Sequence, residues 1–180
     1  TPRRRSGSSG GSPASSAEEE NGGLIVASSF QRRSRIYFDT CCISRLFDDQ
    51  TQERVRLEAE TILAILEKVG SGAWSMVTSE ALELEMDAIP DREKRERAQK
   101  VLSYSDSRVL VGDAVLLRAE ELEGLGFSPW DATHIACAER ARVDVFLTVD
   151  MDLLRKARRH DMIFRVAIRH PMGWMPEAMS

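Results

Sequence analysis

Two short apolar runs, Ile36-Tyr37-Phe38 and Val145-Phe146-Leu147-Thr148-Val149, each end in a single aspartate, Asp39 and Asp150. In an open parallel α/β sheet, ligands bind beyond the carboxyl ends of the strands, so acids at two strand ends can meet although more than a hundred residues separate them. The pattern predicts a carboxylate pocket at one edge of a sheet.

The rest of the chain agrees with such a sheet. At 180 residues it has room for one domain with a proper core. Residues 1–35 differ in kind, being dense in Ser, Gly, Arg and Glu, with Leu24-Ile25-Val26-Ala27 as their one apolar patch. Such a stretch buries too little surface to offset its ordering entropy, so we expect a disordered low-complexity segment over 1–35 and a folded domain over 36–176. Within the domain, Val55, Ala59, Ile62, Leu63, Leu66 and Val69 recur at helical spacing, with Asp49 or Thr51 as candidate caps and Gly70 as the end. A run at 73–77, a helix over 79–88 stopped by Pro90 and a charged helix from about Asp91 follow, then a strand at 109–111. Helices at 113–125 and 129–142, the strand into Asp150, a helix at 153–159 and a strand at 163–168 complete the order. Strands alternating with helices predict βαβ units and a parallel sheet covered on both faces.

Composition excludes several classes. No apolar run approaches the length of a membrane span. Three cysteines, Cys41, Cys42 and Cys137, form neither a disulfide framework nor a familiar zinc spacing, and they fit a reducing, cytoplasmic compartment as small buried residues.

Each acid has an ordinary structural explanation. Asp39 and Asp150 stand where strand gives way to helix, the usual place of an N-cap. Asp131 follows Ser128-Pro129-Trp130, a cap serine, a first-turn proline and an acid at the third helical position. Glu85 is different. Leu82, Glu85, Met86 and Ile89 share one helix face, so Glu85 borders the buried stripe while Glu83 and Asp87 point elsewhere. With no Lys or Arg between Lys68 and Arg92, its carboxylate needs a partner, cation or metal, from outside the helix.

Four segments, Arg35-Ile36-Tyr37-Phe38-Asp39-Thr40, Ser79-Glu80-Ala81-Leu82-Glu83-Leu84-Glu85, Asp131-Ala132-Thr133-His134-Ile135-Ala136-Cys137-Ala138 and Leu147-Thr148-Val149-Asp150-Met151-Asp152-Leu153, resemble in order and spacing the motif blocks of PIN-domain nucleases. The chain most resembles the VapC-like ribonuclease toxins of bacterial type II toxin-antitoxin systems, including their Asp-Thr-Cys-Cys opening. The resemblance implies a three-layer α/β/α sandwich with a central, mostly parallel sheet. It also implies a metal site formed by Asp39, Glu85, Asp131 and Asp150, with Thr148 orienting the fourth acid.

Carboxylate oxygens without soft ligands favour Mg²⁺ or Mn²⁺. The activity so implied is metal-dependent endonucleolytic hydrolysis of single-stranded RNA, with an antitoxin protein inserting a helix or peptide over the acids and with homodimerisation as a further expectation. A non-catalytic PIN-like module that binds RNA or protein is the alternative, because fold does not guarantee activity. Charge bears on the choice. The chain carries −4, and its first 35 residues hold six arginines against three glutamates, leaving the domain near −7. An acidic domain suits a metallonuclease better than a passive RNA binder with a basic footprint. Local cations are available in the run 155–160, which either holds phosphates or forms a solvated helix end. His134, three residues beyond Asp131, is expected to fill space or fix a neighbouring carboxylate, and Asp152 to serve the helix dipole.

Overall fold

The computed structural model describes residues 33–179. The expected low-complexity segment lies outside them, apart from its last three residues, and Arg35 already belongs to a strand. Among the described residues five strands, β1 (Arg35–Phe38), β2 (Ser75–Ser79), β3 (Ser107–Val109), β4 (Val145–Leu147) and β5 (Ala167–Arg169), form one sheet in the order β3-β2-β1-β4-β5. Every pairing is parallel. Successive strand residues point to opposite faces. All five residues of β2 and all three of β4 are buried, so both faces of the sheet centre are covered.

Eight α-helices among the described residues provide that cover: α1 (Thr40–Arg45), α2 (Glu53–Gly70), α3 (Glu80–Asp87), α4 (Arg92–Leu102), α5 (Asp113–Glu123), α6 (Pro129–Arg140), α7 (Met151–Arg159) and α8 (Pro171–Ala178). The central strands pack through Tyr37 stacked on Phe146 at 5.6 Å, within a core that includes Ile36, Phe38, Ile62 and Leu82. This is the α/β architecture expected from the alternating pattern. Among the described residues no helix is long and apolar enough to cross a membrane.

Local chemistry sets several boundaries away from their expected places. The strand expected at 109–111 occupies Ser107–Val109 instead. Its ladder is set by Val77 opposite Ser107, and beyond it Val111 donates its N–H to Glu80 at 2.8 Å rather than to a neighbouring strand. The last strand is shorter and later than the expected 163–168, because Asp161–Ile163 forms a 3-10 turn closed by the Ile163 N–H on the His160 carbonyl. Neither Asp49 nor Thr51 caps α2. Asp49 accepts the Thr51 N–H at 3.0 Å in a tight turn, and the cap position falls to Gln52. The helix expected over 129–142 ends at Arg140, followed by Arg142 at φ 53°, a left-handed stop of the kind usually given to glycine. The apolar end of the chain forms α8, which packs on α2, with Trp174 4.9 Å from Trp74.

Candidate active site

Phe38 pairs with Leu147, so the residues that follow β1 and β4 emerge side by side. The ladder continues one step further, the Asp39 N–H donating to the Leu147 carbonyl at 2.9 Å. Asp39 sits at the α1 N-cap position, but its carboxylate makes no capping bond. Its Oδ2 instead accepts the Thr148 hydroxyl at 2.7 Å and the Cys41 thiol at 2.9 Å. Capping therefore does not explain this acid. Asp39 is 6% exposed, and burial raises its pKa above the usual carboxylate range. The Cys41 bond, the electrostatic influence of His134 and the Thr148 bond oppose that rise, while the negative charge of Asp131 adds to it.

Glu85 is held by a second set of partners. Thr40 donates to its Oε2, and His134 Nε2 lies 2.7 Å from the same oxygen. His134 Nδ1 is 2.9 Å from the Tyr37 hydroxyl, which is 2.6 Å from Ser79 Oγ. All three of these side chains are buried. Ser79 Oγ also accepts the Leu82 N–H as the cap of α3. With His134 donating from Nε2 to Glu85, its Nδ1 accepts from Tyr37 and Tyr37 accepts from Ser79, so every donor in the chain has a place. Burial alone would raise the Glu85 pKa, yet the His134 and Thr40 bonds and the electrostatic influence of the His134 ring bring it below the ordinary value. Burial also keeps the Tyr37 phenol far from ionisation. His134 thus fixes a neighbouring carboxylate. It is also the partner from outside the helix that the position of Glu85 requires, whereas Glu83 pairs with Arg108 and Asp87 accepts from Gln99.

Asp131 lies in the first turn of α6, where its N–H is capped by Ser128 at 3.1 Å. No hydrogen bond or ion pair engages its carboxylate among the described residues. Asp150 is exposed and does cap α7, its Oδ1 accepting the N–H groups of Asp152 at 2.7 Å and Leu153 at 3.2 Å. Thr148 reaches Asp150 through the backbone, accepting its N–H at 3.1 Å, while its hydroxyl hydrogen goes to Asp39. Thr148 thus touches both strand-end acids, the fourth through its backbone N–H and the first through its carboxylate. Asp152 pairs with Arg155.

Sequence reasoning missed the Cys41 contact with Asp39, the bond from the Thr148 hydroxyl to Asp39, and the Tyr37–Ser79 support of His134. Cys41, expected as inert filling, touches Asp39, Thr148 and the Val149 N–H. A signal for Tyr37 did exist: a tyrosine inside a fully buried strand needs a partner for its hydroxyl.

The chain belongs to the PIN domain family, which it matches over residues 36–159. PIN domains are typically nucleases, and the nucleases generally use divalent metal ions. No curated protein sequence matches the chain. Among solved structures, a chain in the complex of VapBC2 from Rickettsia felis bound to a DNA fragment from their promoter is similar to it. The two share 10% identity with a TM-score of 0.48, and the match covers 76% of this chain and 98% of that one.

The donor set suits a hard, hydrated cation. Each acid keeps an oxygen that accepts no bond from the described residues: Asp39 Oδ1, Glu85 Oε1, Asp150 Oδ2 and both oxygens of Asp131. Asp39 is buried without a Lys or Arg partner among the described residues, the situation that a bound cation relieves. No group of three His, Cys, Asp or Glu side chains among the described residues forms a ready cage. Mg²⁺ does not require one, since it is commonly held through one or two carboxylates with water completing its shell.

Proposed function

We propose that the protein is a metal-dependent endoribonuclease that hydrolyses phosphodiester bonds of single-stranded RNA, working in the cytoplasm as the toxin of a toxin-antitoxin pair. The observation that carries the nuclease reading is Asp39, a buried carboxylate that no Lys or Arg among the described residues pairs with, held by Thr148 and Cys41 under the charge of Asp131. The toxin role rests on the resemblance of the motif blocks to the VapC-like group, and an antitoxin and a second copy of the chain are its proposed partners. A free thiol at Cys41 is consistent with a reducing compartment.

In this reading the open oxygens of Asp39, Glu85, Asp131 and Asp150 would hold Mg²⁺ or Mn²⁺, directly or through its waters. Such an ion would lower the pKa of a bound water and neutralise charge on the phosphodiester. The chain's own task is orientation. Thr148 and Cys41 fix the Asp39 carboxylate by one oxygen and leave the other for ligation. Thr40 and His134 do the same for Glu85, with Tyr37 and Ser79 buried behind them. Without metal the acids repel RNA, so binding for hydrolysis and metal binding are coupled.

The test incubates purified protein with a labelled RNA pool in Mg²⁺ or Mn²⁺, then with chelator, beside Asp39→Asn. Cleavage that needs metal and disappears in Asp39→Asn is expected. Equal cleavage by both proteins, or none under any metal, defeats the assignment and leaves the non-catalytic module.

A further inference from the structure

A cavity of about 690 Å³ opens where α2, α7, β5 and α8 meet. Met151, Ile168 and Met172 give it an apolar lining, and Arg54, Arg158 and Arg169 place guanidinium groups around it. We infer that this cavity is a subsite for single-stranded RNA, taking a nucleotide next to the cleaved bond, with Arg158 and Arg169 on its phosphates. The inference rests on the nuclease reading and extends it.

Position is the first argument. Met151 directly follows Asp150, and the Arg169 carbonyl accepts the Thr148 N–H at 3.1 Å. The cavity therefore opens at the same carboxyl edge of the sheet as the acids. A strand with one phosphodiester at Asp39 and Asp150 brings its neighbouring nucleotides here.

Charge is the second. Arg54 is neutralised by Glu58, which is buried and also receives Arg45 at 2.8 Å and His170 at 3.2 Å. Arg158 makes no hydrogen bond or ion pair among the described residues, and Arg169 reaches only the Ile168 carbonyl, at 3.0 Å. Against these two stands Glu177, among the described residues the one lining carboxylate outside the Glu58 cluster. In a domain near −7, two uncompensated arginines beside the acidic edge offset its repulsion of phosphate. Guanidinium groups bind phosphate in a bidentate fork, and methionine sulfur makes favourable contact with aromatic faces. An unstacked base and its phosphate match both parts of the lining, which is why the occupant is single-stranded.

The structure also divides the basic run 155–160. Arg155 is taken by Asp152, and Lys156 donates to the Gly126 carbonyl at 2.8 Å. Only Arg158 of this run lines the cavity.

The test uses the full chain carrying Asp39→Asn, in Mg²⁺, and reads the anisotropy of a short fluorescein-labelled single-stranded RNA across a salt series. Arg158→Gln with Arg169→Gln is expected to weaken binding about tenfold. It should also reduce the salt slope by about 1.4, at about 0.7 for each phosphate that is no longer neutralised. Arg155→Gln with Arg159→Gln removes equal charge from the same helix outside the cavity, and should change affinity less than about twofold. Equal loss in the two pairs, no loss in the first, or no RNA binding by the parent chain overturns the subsite. If the cavity substitutions weaken binding of a labelled acidic peptide, run in parallel, and leave RNA binding intact, the surface belongs to a protein partner and the subsite is also overturned. Cleavage by the unsubstituted chain in metal is scored separately. Cleavage with an unaltered KM in the cavity variant refutes the subsite alone, whereas cavity-dependent binding without cleavage refutes the nuclease reading alone.

Discussion

Thr148 donates its hydroxyl hydrogen to Asp39 at 2.7 Å, joining two residues 109 apart in sequence and both buried at the carboxyl edge of adjacent strands. The same oxygen accepts the Asp150 N–H, so one hydroxyl fixes an acid carboxylate and the start of α7 together.

Thr148→Val keeps the shape and removes both bonds. Leaving the buried Asp39 oxygen and the Asp150 N–H short of a partner should cost about 1–3 kcal/mol of stability, read by urea unfolding. RNA cleavage should fall about tenfold or more, since the Asp39 carboxylate loses its orientation. Thr148→Ser should recover most of both, and a Ser variant as impaired as Val would show that the methyl, not the hydroxyl, matters.

Tyr37→Phe strips the hydroxyl between His134 and Ser79. About 1–3 kcal/mol of stability should be lost, because His134 Nδ1 is left without its donor in a buried site. The Mg²⁺ concentration for half-maximal cleavage should rise, as expected when support behind a ligand is removed. An unchanged metal requirement would confine Tyr37 to packing.

The contrast between Glu85 and Tyr37 shows what the chain discloses unaided. The phase of α3 follows from a 3.6-residue period, so the turning of Glu85 away from Glu83 and Asp87 is legible from Leu82, Met86 and Ile89. The Asp39 and Asp150 positions are legible because apolar runs end there. Contacts set by pairing are not. Thr148 serves Asp39 because Phe38 pairs with Leu147, a register that no local pattern encodes. Cys41 folds back on Asp39 because α1 starts at once after β1. Glu58 is visible in principle, since it falls on the Val55, Ala59, Ile62 stripe, but its partners Arg45 and His170 come from elsewhere in the chain.

Glu58→Gln tests that buried cluster. It leaves Arg45 and Arg54 without their shared carboxylate, and breaking a buried pair by removing one partner costs about 3–5 kcal/mol. Arg45 retains Asp48 at 2.8 Å, which places the expected loss at about 3 kcal/mol, the lower end of that range. Arg54→Ala, at an exposed end of the cluster, should cost under about 1 kcal/mol. Urea unfolding of the two variants separates these outcomes, and similar losses would refute a central role for Glu58.

Asp39 and Glu85 should respond to pH with opposite signs. Folding raises the Asp39 pKa, chiefly by burial, so its native carboxyl prefers the proton. Its unfavourable contribution is absent below the unfolded pKa and complete above the folded one. Asp39→Asn should therefore stabilise the protein at neutral pH even as it abolishes cleavage, and the gain should shrink as pH falls toward about 4, the unfolded Asp range. Glu85 is the reverse. His134 and Thr40 outweigh burial and lower its pKa, so it stabilises the fold above the unfolded pKa, and that contribution is lost as pH falls through the folded one. Glu85→Gln should destabilise the protein at neutral pH, and the deficit should narrow on acidification. Urea unfolding of the two variants and the parent at neutral and acidic pH reads both signs. A destabilised Asp39→Asn at neutral pH would mean that the Thr148 and Cys41 bonds outweigh the burial of its charge.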